Sequence, residues 1–273
     1  MSRLTRSIEE ALGGNHATFA CKLDAKSTGP GKRDRSRWRA YIPAMRTTRP
    51  TLLLCALCSL CALWSPQAHA AEKAEPAKAP LTIDRGHTAL LVMDYQNDIV
   101  AMVPEAARAP LLDKASEVIK AARHAHLPII YVVVRFRDGY PEVGRQNKRF
   151  AMLKDSGRLR EGTPGAEIHA GVAPEKGDIV VTKRRVGAFS TTDLEPILRA
   201  NGITTLAMFG IATSGVILST VRWAADMDYP MIVVSDACAD MDSEVHRVLT
   251  EKILPTQATV VTAQEFAKAA NSK

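Results

Sequence analysis

The chain has 273 residues, and its 36 lysines and arginines outnumber its 29 acidic residues, which gives a formal net charge of +7. Residues 1–70 hold the whole excess, with 11 basic and 4 acidic residues, because residues 71–273 contain 25 of each. The neutral remainder offers no compositional argument for a nucleic acid or an anionic membrane as a partner.

Residues 45–70 have the three parts of a secretory signal peptide. Two arginines precede an apolar run of 14 residues over 51–64, and Ala68-His69-Ala70 follows as a small-x-small cleavage site. A membrane span needs roughly 20 apolar residues, so this run favours a cleaved signal over an anchor, which is the alternative. We therefore expect an exported, periplasmic protein with no membrane contact after cleavage near Ala70.

Residues 1–44 are basic, rich in Gly and Ser, and show no hydrophobic period. A signal peptide does not normally follow so long a segment. We expect 1–44 to be disordered, or to lie upstream of a true start at Met45. The alternative is a basic arm that binds nucleic acid.

The rest of the chain alternates strand and helix patterns. Residues 71–84 are an Ala/Pro/charge-rich linker, and one domain is expected over 85–270. We predict strands at 88–94, 128–134, 178–182, 204–209, 230–235 and 258–262. We predict helices near 110–124, 192–200, 214–228 and 242–254, followed by a short terminal helix. Apolar, β-branched strands between helices predict a parallel sheet covered on both faces.

Two further features depend on this layout. The long polar segment 135–177 exceeds an ordinary connector, and such loops usually carry function or an interface. Parallel sheets bind ligands at the carboxyl ends of their strands. Asp94 ends strand 1 and Lys183 ends strand 3, so together they could form an acid–base pair, although Asp94 could instead cap its own loop.

Four segments, "ALLVMDYQND", "VVTKRRVGAFSTTDL", "FGIATSGVILST" and "VVSDACAD", resemble motifs of the isochorismatase-like hydrolases in the same order. The resemblance covers roughly residues 84–265. It implies an α/β fold, a three-layer α/β/α sandwich with a six-stranded parallel sheet of order 3-2-1-4-5-6. Relatives in this superfamily are commonly oligomeric, so a homo-oligomer is expected.

The resemblance also implies a site. The usual triad is Asp, Lys and Cys; its first two members match Asp94 and Lys183, but the cysteine position, six residues after Gly210, holds Val216. A cis peptide that helps to form an oxyanion hole would map to Ile211–Ala212. The positions matched to substrate binding are Gln96, Arg135, Phe189, Ile211, Ala212 and Gly215.

Valine cannot attack a carbonyl, so a thioacyl-enzyme route is closed unless another residue replaces the cysteine. Ser214 is out of register and, with Thr213, better suited to capping the following helix. Cys238 is the one cysteine of 71–273; it cannot form an internal disulfide and reads as a buried apolar residue.

The histidines give no sign of a metal centre. Nicotinamidases carry an Asp and several His beyond the first motif, whereas His124, His126, His169 and His246 are scattered here and are taken as surface residues. We expect no zinc-type site and no cofactor.

By the same resemblance, true isochorismatases also lack the cysteine and use the aspartate as a general acid on a vinyl ether. Three hypotheses for function follow. The first hypothesis is a hydrolase that uses Asp94 and Lys183 on a small substrate, anionic if four strand-end arginines face it: Arg135, Arg137, Arg184 and Arg185. Those arginines could equally form a solvated rim or a subunit interface. The others are a catalytically silent binding module and an assembly protein on the same fold.

Overall fold

The structure, a computed structural model, describes residues 81–272. The upstream segment 1–44, the signal peptide and most of the linker lie outside the described residues. Within the described part, Leu81 and Ile83 pack against the core, so the last residues of the predicted linker belong to the domain. No helix in this part is long and apolar enough to cross a membrane.

Six strands form one sheet, and each pairs in parallel with its neighbours in the order β3-β2-β1-β4-β5-β6. The strands are β1 Thr88–Met93, β2 Ile129–Val134, β3 Ile179–Lys183, β4 Thr205–Gly210, β5 Met231–Val234 and β6 Thr259–Val261. Every residue of β1 and β2 is buried, as expected for central strands covered on both faces. The predicted strand order is confirmed.

Seven α-helices are present among residues 81–272. They are α1 Asn97–Val100, α2 Glu105–His124, α3 Lys148–Asp155, α4 Leu194–Ala200, α5 Leu218–Asp226, α6 Ser243–Val248 and α7 Ala263–Asn271. The α2 crossover joins β1 to β2, and the α5 crossover joins β4 to β5 in the opposite direction along the sheet. Because such crossovers are right-handed, the two helices lie on opposite faces, which confirms the three-layer sandwich. Helix α7 packs along α2.

The helix bounds depart from the sequence pattern in three places. Helix α2 begins at Glu105, not near Pro110, because the segment before that proline consists of good helix formers. The predicted 242–254 helix is α6 followed by a π-helical turn, Leu249–Ile253. The long segment 135–177 contains α3, which the pattern did not predict; the Asn147 side chain caps it by accepting the Phe150 N–H at 3.2 Å.

Candidate active site

The carboxyl ends of β1 and β4 meet where the strand order reverses. Met93 pairs with Gly210 at this edge, and a Cβ on Gly210 would stand 2.6 Å from the Met93 carbonyl oxygen. Only glycine therefore fits at the end of β4. In α/β sheets this switch point is the usual place for a ligand.

Asp94 and Lys183 form a buried ion pair at this edge. Lys183 Nζ lies 2.9 Å from Asp94 Oδ2, and the two side chains are 2% and 7% exposed. The same ammonium donates to the Arg185 carbonyl at 3.1 Å. Asp94 Oδ1 is buried and has no hydrogen-bond partner among the described residues, which leaves one oxygen available to a ligand.

The surroundings of Asp94 alter its acidity. Burial raises the pKa of this carboxyl, and this effect outweighs the lowering by Lys183 and, more weakly, by Arg149. The protonated carboxyl therefore persists to higher pH than in an ordinary aspartate. A group with this property can donate a proton to a bound molecule.

The turn after β4 forms the second wall. The Ile211–Ala212 peptide is cis, at the position that the resemblance implied. A π-helical turn, Thr213–Ile217, follows and leads directly into α5. Val216, which the resemblance matches to the family cysteine, is 1% exposed and lies in this turn.

Neither Thr213 nor Ser214 caps a helix with its side chain, so that prediction is wrong. The helical turn begins earlier than the pattern indicated, with Ala212 as its N-cap. The loop after β5 supplies the missing acceptors: Ser214 N–H donates to Asp240 Oδ2 at 2.6 Å, and Thr213 N–H donates to the Ala239 carbonyl at 2.8 Å.

A cavity of about 410 Å³ opens between these walls. Its floor is the ion pair and the turn, and much of its roof is the segment around α3. The lining residues are Asp94, Ile99, Met102, Val134, Arg149, Phe150, Met152, Leu153, Ser156, Arg158, Leu159, Lys183, Val186, Ile211, Ala212, Gly215, Val216 and Met241.

The roof residues were not identified from the sequence. Phe150, Leu153 and Leu159 contribute apolar surface, and Arg149 and Arg158 contribute positive charge. The sequence does contain a short pattern that predicts helix α3. Asn147 is a good N-cap residue, and the apolar residues Phe150 and Leu153 follow three positions apart, inside a segment that already stood out for its length.

The structure brings only some of the predicted substrate-binding residues to the cavity. Ile211, Ala212 and Gly215 line it, whereas Gln96, Arg135 and Phe189 do not. The Gln96 amide is buried and donates to the Val134 and Ala166 carbonyls at 2.9 and 2.7 Å. It thus ties β2 to the long segment and holds the edge of the site in place.

The remaining two positions lie elsewhere. Arg135 forms an ion pair with Glu167 at 2.9 Å. Phe189 is buried and stacks on Trp223 at a ring-centroid distance of 6.5 Å.

The other strand-end arginines are also engaged away from the cavity. Arg137 and Arg184 pair with Glu142, and Arg184 pairs with Glu161 as well. The Arg185 guanidinium donates to the carbonyls of Glu142 and Arg184. These arginines hold the long segment against the sheet.

The histidines are not all surface residues. His124 and His126 are exposed and His169 is partly buried. His246 is also partly buried, its Nδ1 lies 2.8 Å from Thr213 Oγ1, and burial lowers its pKa. The surface prediction is wrong for His246 because α6 packs against the turn after β4.

Two further observations concern metals and thiols. Within residues 81–272, no group of three or more His, Cys, Asp and Glu side chains could hold a metal ion. Cys238 is buried, as predicted, and burial raises the pKa of its thiol to about 12. It does not line the cavity.

Comparison with known proteins identifies a matching family and several relatives in sequence. Residues 88–265 match the isochorismatase domain. The chain is 31% identical over 165 residues to a "probable inactive nicotinamidase" of Arabidopsis thaliana, covering 59% of this chain and 84% of the relative. It is 30% identical over 189 residues to a ureidoacrylate amidohydrolase of Methylorubrum extorquens, covering 62% and 76%.

A solved structure shows the same architecture. The cysteine hydrolase from Pseudomonas syringae superposes with a TM-score of 0.63 at 25% identity, over 70% of this chain and 95% of that one. The residues that match the isochorismatase domain, 88–265, include Asp94, Lys183 and Val216.

Proposed function

The chain belongs to the isochorismatase family, and we propose that it is a hydrolase that acts on a small substrate through Asp94 and Lys183, without a cysteine nucleophile. The observation that carries this proposal is the Asp94 carboxyl. One of its oxygens is held by Lys183, and the other is buried, unpartnered and beside a cavity of substrate size.

The proposed chemistry is proton transfer followed by attack of water. Burial raises the pKa of Asp94, and in its protonated form this residue donates its proton to the vinyl carbon of an enol ether, so that positive charge develops on the neighbouring oxygen-bearing carbon. Lys183 then stabilises the carboxylate that remains. Water adds to the oxygen-bearing carbon and its proton returns to Asp94, after which the hemiketal breaks down to a carbonyl compound and an alcohol. Val216 is a wall of the cavity in this scheme and forms no covalent bond.

An acid-catalysed hydrolysis of an enol ether is the reaction that fits these roles most directly. Amide hydrolysis is the second reaction to test, because a relative of similar length is an amidohydrolase by name. In that case Asp94 would take a proton from the attacking water, and the Ala212 N–H, which has no acceptor among the described residues, would face the carbonyl oxygen.

A catalytically silent binding protein is the other candidate. Val216 favours it, since the position that the resemblance matches to the family cysteine holds an inert side chain, and one relative is named as inactive. The intact Asp94–Lys183 pair argues against it. Burying a carboxylate oxygen without a hydrogen-bond partner lowers the free energy of unfolding and gives no structural benefit.

Turnover by the Asp94→Asn variant tests the proposal. Wild type, Asp94→Asn and the exposed control Asp155→Asn would be assayed on isochorismate, other enol ethers and small amides. We expect kcat/KM to fall about 10²–10⁴-fold in Asp94→Asn and to stay unchanged in Asp155→Asn. Equal turnover in all three proteins would exclude Asp94 as the catalytic residue, and no turnover by folded wild type would favour the silent module.

A further inference from the structure

Two arginines of the long segment line the cavity and have no hydrogen-bond or ion-pair partner within residues 81–272. Nearly every arginine in residues 81–272 donates to a carboxylate, amide or carbonyl oxygen. The exceptions in that part of the chain are Arg145, Arg149 and Arg158. Arg149 and Arg158 line the cavity, and Arg145 does not.

Arg149 lies close to the reactive end of the cavity. A Cβ built on Gly215 would stand 3.3 Å from Arg149 Nη2 and 3.6 Å from its Cζ. The guanidinium therefore covers the bare backbone of Gly215, next to Val216. Arg149 is also the second positive charge that acts on Asp94, after Lys183.

The charge of the cavity is unbalanced. Asp94 is its one acidic lining residue and is already paired with Lys183, so the two arginines add uncompensated positive charge. Most of the remaining lining is apolar, with Phe150, Leu153 and Met152 on the same segment. A guanidinium presents its donors as a planar fork that matches a carboxylate.

We propose that Arg149 and Arg158 bind the carboxylate of a small organic acid whose apolar body fills the rest of the cavity. This inference deepens the proposed hydrolase function and rests on it for the reacting bond. The position of Arg149 beside Gly215 and Val216 places the carboxylate near the bond that reacts, so the substrate is a short acid.

Binding of matched acid and alcohol pairs tests the inference without turnover. The probes are benzoate against benzyl alcohol and crotonate against but-2-en-1-ol, titrated into the full chain by calorimetry. We expect wild type to bind each acid at least about tenfold more tightly than its alcohol, since hydrogen bonds between charged groups are the strong ones. The preference should shrink as salt rises.

Four substitutions identify the residues responsible. Arg149→Gln and Arg158→Gln should each reduce the acid preference about tenfold, while Arg145→Gln, on the same segment and also unpartnered, should retain it. Arg149→Lys keeps the charge but loses the fork, so it should retain only part of the preference. All three arginines are exposed, so the variants should keep the wild-type circular dichroism spectrum.

The outcomes separate the two proposals. The inference would be overturned if wild type bound acid and alcohol equally or bound no probe. It would also be overturned if the acid preference survived in both Arg149→Gln and Arg158→Gln. Asp94→Asn should show the loss of turnover described above yet keep the acid preference, because it removes a negative charge from the cavity. Acid-selective binding by a protein without turnover would support the anion site and count against the hydrolase.

Discussion

Val216 is the residue at which, by the resemblance, this chain departs from the usual triad. It lines the cavity together with Asp94, Lys183 and Ala212. A cysteine placed at position 216 would therefore share the cavity with Asp94 and Lys183. A cysteine side chain is only slightly smaller than a valine side chain, so it should fit in the same turn.

Val216→Cys should create a reactive thiol. A cysteine beside Lys183 and at the cavity wall should react with iodoacetamide at least about 100-fold faster than buried Cys238, whose thiol pKa is raised to about 12. Tryptic mapping separates the two, because Arg222 lies between them in the sequence. We also expect the variant to gain slow hydrolysis of small amides.

An inert thiol at position 216 would contradict this prediction. It would mean that the turn presents the side chain away from the reacting region. Cys238 in the same sample is the internal control, since its buried position should leave it unmodified in both proteins.

The pH dependence of turnover should report the role of Asp94. If Asp94 is the general acid, kcat/KM is highest where the carboxyl is protonated and falls as pH rises through its raised pKa. If Asp94 is instead a base, the same limb rises with pH. The measurement is kcat/KM from pH 4 to pH 9 on the first substrate found, with Asp155→Asn as the control that should keep the wild-type profile.

The turn after β4 depends on a second element, the loop that joins β5 to α6. Ala239 and Asp240 accept two N–H groups of the turn, and His246 on α6 hydrogen-bonds the Thr213 hydroxyl. Burial lowers the pKa of His246, while Asp240 opposes this shift. The folded state therefore favours the neutral imidazole.

This contact should make stability depend on pH. A histidine with a lowered folded pKa stabilises the fold above its unfolded pKa, near 6.5, and that contribution is lost as pH falls. The urea midpoint of wild type should thus drop between pH 7.5 and pH 5.5 more than that of His246→Gln. His126→Gln, at an exposed position, should follow wild type; identical slopes for all three proteins would exclude His246 as the source.

The sequence predicted elements better than it predicted their ends. The six strands were found from apolar, β-branched runs, which are clearest in β1 and β2, where burial on both faces leaves Thr88 as the one hydroxyl-bearing aliphatic residue. The two π-helical turns were not foreseen, since their start depends on partners distant in the chain, such as Asp240 for Ser214. Asp94 and Lys183 were found because each lies at the carboxyl end of a predicted strand and because both match the triad that the resemblance implies.

The residues that roof the cavity could not be identified from strand-end patterns in the sequence. Gln96 and Arg135 are polar residues at strand ends, yet the structure uses them to fasten the long segment to the sheet. Arg149 and Arg158 lie far from any strand and reach the cavity only because α3 folds over it. Which arginine faces a ligand is decided by tertiary packing.

At the scale of the whole molecule, the ion pair joins strands that are not neighbours. Asp94 follows β1, Lys183 ends β3, and β2 lies between them in the sheet. Removing one partner leaves a buried charge without compensation, which costs about 3–5 kcal/mol at neutral pH. Lys183→Met should therefore destabilise the fold, which urea unfolding would measure.

The size of that loss should depend on pH with a defined sign. Without the ammonium, only the weaker effect of Arg149 opposes burial, so the folded pKa of Asp94 is raised further than in wild type. A raised carboxyl pKa stabilises the fold below the unfolded value, near 3.9, and this contribution is lost as pH rises toward the folded pKa. Lys183→Met should consequently lie nearer to wild type at pH 5 than at pH 8.

The double variant Asp94→Asn/Lys183→Met separates charge from packing. It removes both buried charges, so the pH-dependent part of the loss should disappear and stability should recover toward wild type, as it does when buried ion pairs are replaced by neutral groups. A double variant that stays as unstable as Lys183→Met at pH 8 would mean that the Lys183 side chain supports the β2–β3 edge by packing. In that case Lys183 would contribute packing more than charge. The proposed chemistry requires the opposite, because it uses the Lys183 charge to stabilise the Asp94 carboxylate.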